Sequence, residues 1–187
     1  MKTIKLLALL LIAGTISITA QKKDINVSKS VVTWTGNKIG GSHNGGINIK
    51  SGHVEFKNGN ITAGTIVIDM KSMTNADIKN ESMSKKLLDH LKSDDFFGVD
   101  KFPTATFTLK SAGKFVNGKA TLTGVLTIKG KSENISFDVT KNGEVYAAQL
   151  KVDRSKYDVR YGSKSFFDNL GDKAIDDIFV LDIKIVL

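Results

Sequence analysis

Residues 120–129 alternate without a break: Ala120, Leu122, Gly124, Leu126 and Ile128 fall on one face, and Thr121, Thr123, Val125, Thr127 and Lys129 on the other. A period of two marks a strand that buries one face, and it is incompatible with a helix over that span. The same pattern recurs along most of the chain. Val32 and Trp34 oppose Val31, Thr33 and Thr35. Ile47 and Ile49 open a second strand whose alternation slips near Ser51–Gly52, as a bulge would cause, before Val54 and Phe56. Gly64, Ile66, Ile68 and Met70 then oppose Thr65, Val67, Asp69 and Lys71, and Ala105, Phe107 and Leu109 oppose Thr104, Thr106 and Thr108. After 120–129 come Ile135, Phe137 and Val139, then Tyr146, Ala148, Leu150 and Val152, then Phe179, Leu181, Ile183, Ile185 and Leu187. The chain therefore carries eight strands, each with one clear apolar face.

Turn chemistry separates them. Asn-Gly, favoured where both central residues need positive φ, occurs in KNGN (57–60), VNGK (116–119) and KNGE (141–144), and the glycine-rich GGSHNGG (40–46) reads as a flexible turn. One segment breaks the run: Met83, Leu87, Leu88 and Leu91 form a one-sided helical stripe near Glu81 to Lys92. It leads through Asp94–Asp95, Phe96–Phe97, Gly98 and Pro103, the chain's single proline, into the fourth strand. Pro103 cannot donate to a sheet and so marks that strand's start. These elements predict an all-β fold, an eight-stranded antiparallel up-and-down barrel with one main helix between the third and fourth strands. Closure removes exposed edges, and eight strands leave an interior that is either filled or able to hold one small ligand. Alternation alone does not separate that barrel from a two-sheet sandwich.

The N-terminus adds a compartment. Lys2 and Lys5 precede an apolar run from Leu6 to Ile18, followed by Thr19–Ala20 and the polar Gln21–Lys22–Lys23. That is the layout of a secretory signal peptide, too short for a comfortable membrane span, with cleavage after Ala20. Residues 21–187 then form one domain, and the expected location is periplasmic or secreted. The sequence has no cysteine, so no disulfide, thiol chemistry or thiolate metal site is available. Without Lys2 and Lys5 the net charge falls from +8 to +6. The lysines are scattered singly, whereas a nucleic-acid footprint needs a clustered basic face.

No constellation for catalysis is visible. There is no nucleophile elbow, phosphate loop or dinucleotide fingerprint, and GGSHNGG lacks the strand-to-helix context that a phosphate cradle requires. His43, His53 and His90 lie in different elements without metal-ligand spacing, and Asp94–Asp95 and Asp176–Asp177 fit no calcium ladder. The expectation is a protein that is not an enzyme and has neither a metal nor a cofactor. Arginine is rarer and sharper: Arg154 and Arg160 are the only two, six apart beside Tyr157 and Tyr161. A guanidinium suits a phosphate or carboxylate head group, and equally a structural carboxylate pair.

Three separated segments, HLKSDDFFGVDKFPTATF (90–107), GVLTIKGKSENISFDV (124–139) and DRSKYDVRYGS (153–163), occur in an order that resembles the YceI family of secreted bacterial proteins. The resemblance implies a lipocalin-like barrel holding a polyisoprenoid or quinone-like lipid as a non-catalytic carrier or buffer. Small inward residues, among them Gly64, Ala105, Ala120, Gly124 and Ala148, would leave room along its axis. Candidate pocket-lining residues are Trp34, Ile66, Ile68, Met70, Phe107 and Leu122, with Leu126, Phe137, Leu150, Phe179 and Leu181 further along the chain. Phe96, Phe97, Phe166 and Phe167 are entrance candidates, and His43, Arg154 and Arg160 are head-group candidates, Arg154 falling on a family motif position. The expected partner is an apolar lipid, with no nucleic acid and no stable membrane insertion; homodimerisation is left open. Two other readings stand beside it: a secreted stress-response or interaction module with a filled core, and a small outer-membrane barrel, which would turn its apolar face outward.

Overall fold

In the computed structural model, which describes residues 20–187, nine strands form one antiparallel sheet. They are β1 (Gln21–Asp24), β2 (Val31–Lys38), β3 (Gly41–Lys57), β4 (Asn60–Asp69), β5 (Thr104–Ala112), β6 (Lys119–Ile128), β7 (Lys131–Asn142), β8 (Val145–Asp153) and β9 (Ile175–Val186). The strands from β3 to β9 neighbour one another in chain order, and β2 lies between β9 and β3. The β3–β4 pairing closes the ring, so eight strands make the expected barrel. Of residues 1–20, where a signal peptide is expected, all but Ala20 lie outside the described residues.

The ninth strand is β1, which the alternation did not announce. β2 covers only the first half of β3, from Gly41 to Ile47, and the exposed edge beyond it takes up Gln21–Asp24 opposite His53–Phe56. The anticipated slip in β3 is a register shift between Ile49 and Ser51, which keeps the inward set in phase: Ile49 opposite Ile68, Gly52 opposite Ile66, Val54 opposite Gly64. Asn58 and Asn117 adopt positive φ ahead of Gly59 and Gly118, as the Asn-Gly turns at 57–60 and 116–119 require. At 141–144 the expectation fails: Asn142 stays in β7 opposite Val145, and the hairpin turns on Gly143–Glu144 with only Gly143 at positive φ.

Two other local expectations change. GGSHNGG is strand rather than turn from Gly41 onward, pairing with β2. Its glycines admit the 70–80 segment over the sheet face: an added Cβ at Gly45 would collide with the Thr74 carbonyl. Met83 is exposed, so the packed stripe of α1 (Glu81–Lys92) reduces to Leu87, Leu88 and Leu91. The helix starts at Asn80, whose side chain accepts from the Met83 N–H, and ends where Ser93 donates to the His90 carbonyl.

Along β6 the inward set Ala120, Gly124, Leu126 and Ile128 is buried while Thr121 is exposed. Inward residues of the other strands join one apolar cluster, and threonine, serine, lysine and aspartate dominate outside. α1, the 93–103 segment and the 154–174 connection gather where β4, β6 and β8 end, so they cover one mouth of the barrel. No described helix is long and apolar enough to cross a membrane.

Candidate functional site

The barrel encloses a cavity of about 430 Å³ whose walls are almost entirely apolar. That volume lies within the range of small-molecule pockets, about 300–1,000 Å³. Ile66, Ile68, Phe107, Leu122, Leu126, Phe137 and Leu150 line it from β4 to β8, Phe179 and Leu181 from β9, and Trp34 from β2. Met70 reaches it from the short turn after β4. Of the small inward residues, Gly64, Ala105 and Ala148 line the space, whereas Ala120 and Gly124 do not. At Gly124 a Cβ would lie 2.5 Å from the Phe107 ring, which occupies that position and meets Phe137 edge-on with centroids 5.4 Å apart.

The α1 mouth is stopped by rings. Tyr161 stacks edge-on against His90 at 4.3 Å, His90 against Phe96 at 5.9 Å, Phe96 against Phe97 at 5.1 Å, and Phe97 against Phe179 at 6.3 Å. Leu87 and Leu91 of α1 complete this layer, and most polar lining groups, among them Asn37, Lys38, His43, His90 and Asp176, are at the same end. At the other end Phe115 packs on Tyr146, with Lys141 Nζ within 6 Å of both ring centres.

Of the entrance candidates, Phe96 is buried and Phe97 half-buried, and both line the cavity. Phe166 and Phe167 are not brought to it. Their N–H groups bond the Ser163 carbonyl in a turn that curls outward, leaving Phe167 49 % exposed. Phe166 lies under the Arg160 guanidinium at 5.0 Å, and Arg160 donates from Nε to Asp158 Oδ1, so that arginine also stays outside.

Arg154 touches the cavity, but four of its five N–H donors are spent on main-chain carbonyls. It is 2 % exposed and donates to the carbonyls of Val159, Tyr161, Ile175 and Asp176 at 2.8–3.0 Å, while Nη2 lies 3.4 Å from Asp177 Oδ1. Burial depresses its pKa, opposed by the charges of Asp177, Asp153 and Asp176. Burial would raise the Asp177 carboxyl, but Ser163, Ser165 and the Arg154 charge together hold it below its ordinary value. The fork thus replaces side-chain partners with backbone, and it fastens the last connection to the barrel rather than a head group.

His43 lines the cavity near its polar end and is also tethered. Its Nδ1 lies 2.7 Å from Asp77 Oδ2, while Asp77 Oδ1 accepts from the Asn44 N–H at 2.9 Å and from Asn75 Nδ2 at 2.6 Å. Burial acts to raise the Asp77 carboxyl, but the Asn44, His43 and Asn75 bonds outweigh it and bring it down to about 2. The network straps the 70–80 segment to β3, helped by Trp34 Nε1 donating to the Thr74 carbonyl at 3.1 Å. Wall residues that the sequence reading left out include Ile47, Met73, His90, Tyr161, Ile183 and Ile185. The β9 alternation already contained the last two, whereas Met73 and Tyr161 come from irregular segments with no period to read. Among the described residues no group of three or more histidine, aspartate or glutamate side chains is placed to hold a metal ion.

A family model described as the YceI-like domain matches residues 24–187. UPF0312 proteins of Staphylococcus aureus, strains USA300 and NCTC 8325 / PS 47, are 43 % identical over 65 residues, 35 % of this chain and 33 % of theirs. The aligned stretch thus spans about a third of the length of these curated relatives. Among solved structures, Burkholderia cenocepacia BcnA matches with a TM-score of 0.70 at 24 % identity, covering 87 % of this chain and 99 % of that one. A polyisoprenoid binding domain from Saccharophagus degradans, implicated in plant cell wall breakdown, matches with a TM-score of 0.61 at 15 % identity, over 90 % and 97 % of the two chains. Both likenesses establish the fold.

Proposed function

This chain belongs to the YceI-like domain family, and from that premise we propose that it is a non-catalytic binding protein that holds a polyisoprenoid or quinone-like chain inside its barrel, in the periplasm or outside the cell. The observation that carries the reading is the apolar cavity of about 430 Å³. A packed core leaves few gaps larger than a water molecule, so a space of this size lined by apolar side chains is not an ordinary packing defect. An apolar occupant would remove those walls from water, and they offer it area rather than hydrogen bonds.

The polar outer faces of the strands argue against a barrel that presents its apolar side to lipid. A filled-core interaction module is disfavoured by the cavity itself. The polyisoprenoid binding domain of similar fold supports the ligand class. The signal-peptide layout of residues 1–20 supports the compartment.

Trp34, the sole tryptophan, lines the cavity and serves as a reporter. Titrating lipid-stripped protein with a quinone bearing an isoprenoid tail should quench its fluorescence to saturation at one equivalent. Quenching that rises linearly, as for free N-acetyltryptophanamide, would refute the reading.

A further inference from the structure

The barrel wall is not equally closed all the way round. β6 and β7 pair over the whole span from Lys119–Thr140 to Ile128–Lys131, and β8 and β9 from Val145–Val186 to Asp153–Ile178. β7 and β8 are joined only at Thr140–Ala147, Lys141–Tyr146 and Asn142–Val145, next to their hairpin. Above those couples, β7 from 131 to 139 and β8 from 148 to 153 have no ladder between them. At about 3.3 Å per residue the shorter side of this seam runs roughly 20 Å.

Three further observations place the seam against the cavity. Ala147, Ala148 and Ile183 line both the interior and an outer groove, so the wall there is one residue thick. The side chains at that point on β8 are the small methyls of Ala147 and Ala148. On β7 the inward residues Ile135 and Phe137 stay half-buried. The 154–157 turn, with Tyr157 almost wholly buried, packs against β7 and β9 and bounds the seam at the α1 end. Outside, the groove has an apolar floor from Val31, Ala147, Ala148 and Ile183, with Asp138, Thr140, Gln149, Asp182 and Lys184 supplying polar groups along it.

The ends of the barrel are poor routes by comparison. One is stopped by the Tyr161–His90–Phe96–Phe97 stack and held by Arg154, the other by Phe115 on Tyr146. Parting β7 from β8 above Thr140 breaks no ladder hydrogen bond. The ring has a second unpaired stretch, between β4 at 60–64 and β5 at 109–112, but its shorter side is four residues against six for the β7–β8 seam.

We propose that the apolar chain enters and leaves sideways, through the β7–β8 seam between Phe137 and Leu150, while any polar end of the ligand stays among the groove residues. The proposal rests on the binding function set out above. Lateral admission suits a linear chain with one polar terminus, because the polar group never crosses the apolar interior.

Extending the β7–β8 register sets residue 138 opposite residue 149, both facing outward. Because the chain lacks cysteine, Asp138→Cys/Gln149→Cys creates the sole pair of thiols, which can be oxidised or bridged with a short dithiol-reactive linker. The readout is the rate at which a quinone with an isoprenoid tail loads into and leaves the protein, followed through Trp34. Bridging should slow both rates at least tenfold relative to the same double variant left unbridged, and reductant should restore them for the disulfide. The same bridge at Thr123→Cys/Ser136→Cys, across the paired β6–β7 couple, should leave the rates unchanged. Ala147→Phe supplies a plug that needs no bridge, keeps Trp34 as the sole tryptophan and should also slow exchange. Unchanged rates in both the bridged and the Ala147→Phe proteins would overturn the seam while leaving the binding function standing. Absence of saturable binding by the unsubstituted protein would overturn both.

Discussion

The guanidinium carbon of Arg154 lies 5.3 Å from the centre of the Phe96 ring, so the side chain that fastens the 154–177 connection also braces the ring that stops one end of the cavity. Six residues on, Arg160 pairs only with Asp158 at the surface. The two arginines therefore differ sharply in what they support.

Arg154→Leu leaves four carbonyls without their donor and Asp177 without its counter-charge. It should cost about 3 kcal/mol or more, as breaking a buried pair does. Arg160→Ala should stay within about 0.5 kcal/mol of the parent, as exposed pairs do. Urea unfolding of the two variants checks the contrast, and equal losses would contradict the assignment of Arg154 as the fastening.

Ala148→Phe places a ring in the cavity next to Ile183. In lipid-stripped protein it should raise the unfolding midpoint, by an increment on the order of 1 kcal/mol, because it fills void without displacing wall. The same variant should bind less apolar ligand. Opposite signs for stability and binding distinguish a pocket from a core, in which extra bulk would lower both.

Acid sensitivity follows from Asp77. Its folded-state pKa of about 2 lies below the ordinary 3.8, so the unfolded chain takes up the proton first. The contribution of the Asp77 network is complete above about pH 4 and disappears as pH falls through 2. Asp77→Asn should therefore be less stable than the parent at pH 6 and show a shallower loss between pH 4 and pH 2, measured by denaturant midpoints across that interval.

Export should expose Gln21 as the first residue of the mature chain, the outcome expected of the Lys2–Lys5, Leu6–Ile18 and Thr19–Ala20 layout. N-terminal sequencing of protein recovered from outside the cytoplasm checks it. Replacing Leu10 and Leu11 by aspartate should hold the precursor inside the cell.

What the sequence shows of this fold depends on period. β5 and α1 begin and end where alternation and the helical stripe place them, because each has a strong signal and a clear boundary at Asn80, Ser93 or Pro103. The inward residues that line the cavity follow from alternation in the same way. β1 does not, because Gln21–Asp24 has no apolar face and becomes a strand only through the free edge of β3. Gly41–Gly46 has glycines that suit a turn equally well, and only the close approach of Thr74 explains them. The role of Arg154 was hidden for a different reason. Its partners are main-chain carbonyls from two stretches, 159–161 and 175–176, and carbonyls carry no side-chain signature. The β7–β8 seam is likewise silent, since alternation reports which face is buried and not which neighbours share hydrogen bonds.

Organic extraction of the purified protein, with the extract weighed and identified by mass spectrometry, tests the central claim most directly. The account expects a long-chain apolar lipid at close to one molecule per barrel, much reduced in Ala148→Phe. An extract no richer in such lipid than that of an unrelated protein purified from the same cells would contradict it.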